Sequence, residues 1–538
     1  MKNFTNHTVF ENGTEYIFDG DRLCADIGDA VRLKEKIYRS IYSSEKNWLD
    51  TVFYLKDLSD VTLDFGGATL FLRDDTLQPF VLDGCRNVTI RNVVVEYERS
   101  LMDEMEIVDV RDGEIWCRQT DKQKMHFPMK AEDGFLIPLS GSKEYRSDLT
   151  EPHFFNLYKK ETQTCVSMCL VRIGRNLRVI PHEQYPFKYY DLSASQRGEY
   201  IVLTGEIPRG ICSDVTCAQT HAARDLSSCF IIRSKNIRLE NFRVLNGGGM
   251  GILGMYSENN TLDGLKFFFD ERSHGIATNA ADAIHLISCF GTVEIINSVL
   301  EGMKDDALNI HGNYYTVVSV EDGVIHTKLA TDTQKHPAVN AHYVMFGKDD
   351  ELSVCHGGTT LVKQNLRLDR AEVTGDFTAD LYVSQDTSAL CPGDTIENLS
   401  IQADLHIKNC RFGKANTHLR LQTRGRILME DCECALTILL PGDKNYWYEG
   451  SPVRDLTIRN CRFVGGRGSG YIVANPEFTH CPESPYYHSG IKVFGNTFEN
   501  ANALALSNCR DIRFEGNVTL SGLPFANKFG NCAEITEK

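Results

Sequence analysis

Proline is scarce in this chain, 15 residues in 538, against 42 glycines. That balance excludes a proline-rich linker architecture and points to turn-rich folded structure. Positive charge is also in deficit: 57 Lys and Arg stand against 73 Asp and Glu, a formal net charge of −16. No run of Lys and Arg builds a basic groove, and a field of this sign repels phosphate backbones, so nucleic acid is not an expected partner. The opening MKNFTNHTVFENGTEY lacks the apolar segment of a secretory signal, and no later apolar run is long enough to span a membrane. The expectation is a cytoplasmic protein without a membrane partner, or a secreted one should the chain be a trimmed form. A Gly-x-Ser-x-Gly elbow is missing, which removes the commonest serine-hydrolase signature. Cys212 and Cys217 have no second matching pair, so a zinc site there is not expected.

What the chain has instead is a repeat. Short strand-like segments end in Asn or Asp and often continue with Cys: 88-VTIRN-92, 237-IRLEN-241, 293-VEIIN-297, 404-DLHIKNCRF-412, 427-ILMEDCEC-434, 456-LTIRNCRF-463, 491-IKVFGNTF-498 and 512-IRFEGNV-518. Asn409 and Asp431 are 431 − 409 = 22 apart, and Asn496 and Asn517 are 517 − 496 = 21 apart. One coil of a parallel β-helix takes up about that much chain. Apolar residues alternate within each segment, so one side faces the interior. An Asn at a fixed place in every coil would stack into a hydrogen-bonded ladder, and the following Cys would fill space inside as a reduced thiol. Much of the total of 18 Cys is then explained without disulfides.

The rhythm is lost over about 100–225 and 313–398, where β-rich insertions are expected; Asp322-Gly323, between alternating runs, reads as a hairpin turn. The division is therefore 1–99 for an N-terminal cap and first coils, 100–225 for one insertion, 226–312 for central coils, 313–398 for a second insertion and 399–538 for C-terminal coils. Near the start, Ile27, Ala30, Leu33, Ile37 and Ile41 recur at helical steps, which predicts a helix over 27–44 capping the first open coil.

Chemistry concentrates in two central coils. Asp282-Ala283-Ile284-His285-Leu286 matches Asp306-Ala307-Leu308-Asn309-Ile310 at an offset of 306 − 282 = 24, one coil. Stacked strands lie about 4.8 Å apart. Asp282 and Asp306 should therefore be neighbours with Asp305 beside them, and His285, Asn309 and His311 should share the outward strip. Three clustered acids suit general acid and base work in glycoside hydrolysis, where a like-charged neighbour raises the proton affinity of the donor. Calcium is the rival use of such a cluster, and a turn-forming role the plain one. Arg420 and Arg424, in 417-THLRLQTRGRIL-428, are candidates for reaching the same groove, and Tyr314, Tyr315 and Trp447 for stacking on a sugar. Gly249-Met250-Gly251-Ile252-Leu253-Gly254 satisfies a dinucleotide pattern, but a polar turn follows where that motif requires a helix, so room for tight coils is the better reading.

The block 302-GMKDDALNIHG-312, with 281-ADAIHLISCFGTVEIINS-298 one coil earlier, resembles the motif region of the α-1,3-galactosidases of glycoside hydrolase family 110. A more distant likeness, to polygalacturonases, rests on three aspartates in the same relative positions. The resemblance implies an all-β chain: a right-handed parallel β-helix with two inserted β-barrel-like domains. It further implies release of galactose with inversion and with neither metal nor other cofactor. By the same analogy Asp305 is the general acid while Asp282 and Asp306 hold and activate water, although acid and base could be exchanged. The expected partner is an α-galactoside glycan or oligosaccharide, and a homodimer is left open. A uronate lyase or epimerase on the same solenoid, or a carbohydrate-binding solenoid without turnover, are the competing readings.

Overall fold

The computed structural model describes residues 2–538 except 39–47, 99–101, 121–128, 133–134, 141–142, 145–152, 163–164, 174–188, 221–225, 271, 274, 331–343, 376, 416–417, 445–446 and 466–468. The recurring segments stack in parallel because each alternates apolar and polar residues, and only in-register stacking keeps every apolar side chain inside. Val61 lies on Val88 and Val88 on Ile237; farther along, Val293, Leu405, Ile427, Leu456, Ile491 and Ile512 continue the column. All are buried in one continuous core. A second face is formed by Leu49–Lys56, Leu77–Asp83, Ser227–Ile232, Met250–Met255, Ile284–Ile287, the start of Leu308–Glu321, and His418–Gln422, again in parallel. Short strands such as Lys266–Phe267, Val299–Glu301 and Arg411–Gly413 supply a third. The fold is a parallel β-helix.

The segment-ending Asn residues have a backbone reason to be there. Asn92, Asn241, Asn297, Asn409 and Asn460 turn the coil's corner at φ of 57°, 48°, 52°, 53° and 55°. This left-handed region is one that Asn tolerates better than most residues, because its short side chain hydrogen-bonds locally. Asn241 donates to Asn92 at 3.1 Å, and Asn409 to Asn297 at 2.8 Å. A parallel ladder runs from Asp60 through Asn87 and Asn236 to Asn259 at 2.7, 2.8 and 3.1 Å. No cysteine is paired, and 14 of the 18 are buried; Cys410, Cys432 and Cys461 stand directly behind a corner Asn or Asp.

Two excursions leave the solenoid and return to the same stack. After Arg86–Tyr97 the chain forms a closed barrel that includes Met102–Arg111, Glu114–Gln119, His153–Lys159, Tyr189–Arg197, Tyr200–Gly205 and Val215–Thr220. It then resumes with Ile237 directly over Val88. Leu308–Glu321 is parallel to the coils in its first half and antiparallel to Val324–Leu329 and Thr395–Asn398 in its second, so one strand carries the chain out into the next excursion. Its hairpin turns at Asp322 and Gly323, φ 49° and 78°. The solenoid resumes with Leu405 over Val293.

The predicted helix over 27–44 is not formed in its described part. Ile27–Asp29 and Lys36–Tyr38 are single 3₁₀ turns, and Val31–Leu33 is a strand antiparallel to Leu49–Lys56; 39–47 lie outside the described residues. The supposed apolar face is split: Ile27 is 45% exposed, whereas Leu33 and Ile37 are buried against the first coils. An open β edge nearby offers backbone partners to an extended segment, and that pairing overrides the helical period.

Candidate active site

Asp282 precedes Ile284–Ile287, and Asp306 precedes Leu308–Glu321, at the matching point of successive coils. The two strands pair with His285 opposite Asn309 and Ile287 opposite His311, the offset of 24 read from the repeat. The backbone N–H of Asp306 donates to Asp282 Oδ1 at 3.3 Å, and Asn279 Nδ2 donates to the Asp282 carbonyl at 2.7 Å. One carboxylate oxygen from each of Asp282, Asp305 and Asp306 lies within 4.8 Å of one from each of the others. Asp282 and Asp306 are buried and Asp305 is half-buried. The trio is thus gathered at one place, with Asp305 nearest to solvent.

Gly251 explains how the coils approach so closely. Its N–H donates to the Asp282 carbonyl at 2.7 Å, and a Cβ there would stand 2.4 Å from the Ala283 carbonyl oxygen. Gly249 to Gly254 therefore serve close stacking beneath the acids, with Met250–Met255 a strand of the solenoid.

A ring of polar contacts surrounds the acids. His285 Nδ1 meets Asp282 Oδ2 at 2.7 Å, and its Nε2 faces His311 Nε2 at 3.0 Å. His311 Nδ1 donates to the Gly312 carbonyl at 2.9 Å, and its Nε2 is 3.8 Å from Glu449 Oε1. Glu449 Oε2 receives Arg420 Nη2 at 3.2 Å, Gln422 Nε2 at 3.3 Å and Asn309 Nδ2 at 3.4 Å. Arg420 Nε lies 3.8 Å from Asp306 Oδ2, and Asp306 Oδ1 accepts the His418 N–H at 2.9 Å. His285, Asn309 and His311, expected on an outward strip, are all buried. The Glu449–Gly450 strand, antiparallel to Gly312 and Asn313, covers that strip.

Electrostatics follow from this packing. Burial pushes the Asp282 carboxyl up to about 7; Asp305 and Asp306 add to the rise, and the His285 contacts oppose it. For Glu449, burial is the largest influence and acts upward, but Arg420, His311 and His285 outweigh it and hold the carboxyl at about 2. Burial lowers the His311 imidazole to about 4, against the pull of Glu449.

Arg424 is not brought to the acids. It forms a two-pronged pair with Glu397, at 2.8 and 2.7 Å, inside the packing between the second excursion and the solenoid. Tyr314 is fully buried with its hydroxyl 2.6 Å from that of Tyr487, and Tyr315 packs on Phe346, so neither offers a ring face to a sugar. Trp447 is half-buried. Glu449 and Asn279 escaped the sequence reading. Glu449 sits on the short Glu449–Gly450 strand, which has no repeat offset, and only its place two residues beyond Trp447 in NYWYEG marked that segment at all. The first excursion also touches these coils: Glu104 accepts the N–H groups of Ile276 and Ala277 at 2.6 and 3.0 Å, and Asn156 donates to the Lys304 carbonyl at 3.0 Å.

Among the described residues, two sets of side chains could hold a cation: Asp282, Asp305 and Asp306, and separately His285, His311 and Glu449. The first is an all-oxygen set suited to a hard ion, the second a mixed nitrogen and oxygen set.

No family model matches the chain. It is 26% identical over 487 residues to alpha-1,3-galactosidase B of Bacteroides thetaiotaomicron, covering 86% of this chain and 74% of that protein. It is 23% identical over 544 residues to alpha-1,3-galactosidase A of Bacteroides fragilis, covering 94% and 83%. Among solved structures, the family 28 exopolygalacturonase of Yersinia enterocolitica matches 96% of this chain and 72% of its own at 11% identity and a TM-score of 0.30, too slight a likeness to argue from. The chain resembles α-1,3-galactosidases over most of its length.

Proposed function

We propose that this chain is a glycoside hydrolase that releases terminal α-1,3-linked galactose from glycans or oligosaccharides. The observation that carries the reading is the convergence of Asp282, Asp305 and Asp306 within 4.8 Å in a chain similar to α-1,3-galactosidases. In the inverting mechanism, Asp305, the acid nearest to solvent, protonates the oxygen of the leaving sugar. Asp282 and Asp306 hold and deprotonate a water that attacks the anomeric carbon from the opposite face. Arg420 and Glu449 fix the wall beside them, and His285 orients Asp282 through its 2.7 Å contact.

One observation favours a variation on this scheme. The raised proton affinity of Asp282 suits a proton donor, which exchanges its role with Asp305. Proton NMR of α-1,3-galactobiose turnover tests the outcome. Galactose appearing first as the β-anomer is expected; first appearance as the α-anomer would reject inversion, and no release by the wild type alongside Asp282→Ala, Asp305→Ala and Asp306→Ala variants would reject the activity.

A further inference from the structure

We propose that His285, His311 and Glu449 form a binding site for one borderline divalent transition-metal ion, Zn²⁺ or Co²⁺ in class, beside the three aspartates rather than on them.

The argument begins with hydrogen-bond bookkeeping. The Gly312 carbonyl can only accept, so His311 Nδ1 carries a hydrogen and donates it at 2.9 Å. Asp282 Oδ2, 2.7 Å from His285 Nδ1, fixes the second ring in the same way when the carboxylate is ionised. Both Nε2 atoms then present lone pairs, and they face each other at 3.0 Å. Two facing lone pairs at that distance repel unless something positive joins them.

Glu449 indicates what does. Its Oε2 receives Arg420, Gln422 and Asn309, while its Oε1 is turned to His311 Nε2 at 3.8 Å. The three ligand atoms lie within 4.8 Å of one another, and all three residues are buried. Two nitrogens and a carboxylate oxygen converging on one point suit Zn²⁺, Co²⁺ or Ni²⁺ and disfavour Ca²⁺ and Mg²⁺. A partner on the far nitrogen of each ring is also the arrangement that orients metal-binding histidines.

A second, independent observation points the same way. Asn309 Oδ1 and Gln422 Oε1, both buried, have no hydrogen-bond partner. Asn309 stands opposite His285 in the next coil, and Gln422 opposite His311 in the one after. These two orphaned acceptor oxygens, on the residues paired with the histidines, would be satisfied by a metal-bound water. Charge agrees, since Glu449, Asp306, Asp282 and Asp305 all act on the Arg420 guanidinium. A bound ion would take the His285, His311 and Glu449 side chains away from a sugar, so its effect on turnover is inhibition. That consequence alone rests on the glycosidase reading; the binding does not.

The test uses the full chain, treated with chelator and titrated with Zn²⁺ by calorimetry and with Co²⁺ by visible absorption. Expected are one ion per chain, Co²⁺ bands of nitrogen and oxygen ligation without the near-ultraviolet thiolate band that a cysteine site would give, and anomalous density between the two Nε2 atoms in crystals of the wild type. His311→Ala and Glu449→Gln should each lose binding, and Asp282→Asn, which removes the partner of His285, should weaken it by about 10–100-fold. Zn²⁺ should then inhibit galactoside hydrolysis reversibly, with relief by chelator. Four results overturn the proposal: no binding to the wild type, anomalous density on the aspartate trio or a cysteine instead, binding unchanged in folded His311→Ala, or histidine ¹⁵N spectra showing a proton shared between the rings that Zn²⁺ does not displace. Binding without inhibition keeps the site and overturns its effect on turnover; absence of any hydrolysis bears only on the enzymatic reading.

Discussion

Replacing Asp305 and Asp282 singly by Asn separates the two proton-transfer roles, because the substitution keeps size and removes only the ionisable group. At Asp282, Asn retains an Oδ1 able to accept the Asp306 N–H, so the strand entrance should keep its geometry. At Asp305, which is half-buried, the fold has still less to lose. Positioned acid or base catalysis contributes about 10²–10⁴-fold. At about 1.36 kcal/mol per tenfold, each substitution should raise the barrier on a disaccharide by roughly 2.7–5.4 kcal/mol. The substrate then tells the roles apart. An aryl α-galactoside with a strongly acidic nitrophenol needs no protonation to depart, whereas attack by water still needs a base. Asp305→Asn should therefore recover most of its turnover on that substrate, and Asp282→Asn should not. Recovery by Asp282→Asn alone would exchange the roles, in keeping with its raised proton affinity. Loss of less than tenfold by both variants on the disaccharide would refute the assignment of chemistry to this trio.

Gly251→Ala should cost about 1–3 kcal/mol in urea unfolding and reduce turnover as well, because the added Cβ meets the Ala283 carbonyl at 2.4 Å and must displace the coil that carries Asp282. Arg420→Gln leaves the buried Glu449 without its guanidinium and should destabilise by about 3–5 kcal/mol; adding Glu449→Gln should recover part of that loss, a coupling that a double-mutant cycle measures. Glu430 is held at about 2, chiefly by Arg459 and then Lys408 against the opposing effect of burial, from an ordinary value of 4.5. A depressed carboxylate stabilises the fold fully above its unfolded value and ceases to do so as pH falls through the folded one. The gap in denaturation midpoint between wild type and Glu430→Gln should thus shrink between about pH 4.5 and pH 2; a gap that stays constant would disprove the linkage.

The sequence by itself determined the solenoid and the stacking of its central coils. Alternation within a segment sets which side chains enter the core, and Asn92, Asn241, Asn297, Asn409 and Asn460, in the left-handed region, fix where their coils turn. Those two signals are local and periodic, so an offset of 24 in the chain becomes adjacency of Asp282 and Asp306 in space. What lacks that period was decided only by tertiary structure. Glu449 reaches His311 because a short strand after the second excursion pairs with Gly312 and Asn313, 140 residues from Asn309 in sequence. That same strand buries a strip whose parity marks it only as outward. Arg420 and Arg424 look alike in the sequence, yet one stands opposite Asn309 in register and the other, past the end of His418–Gln422, is claimed by Glu397. At the amino terminus a helical spacing lost to strand pairing, because the free edge at Leu49–Lys56 satisfies backbone groups that a short helix would leave to water. Period and parity are properties of a chain, whereas partners delivered across an insertion are properties of the packed fold.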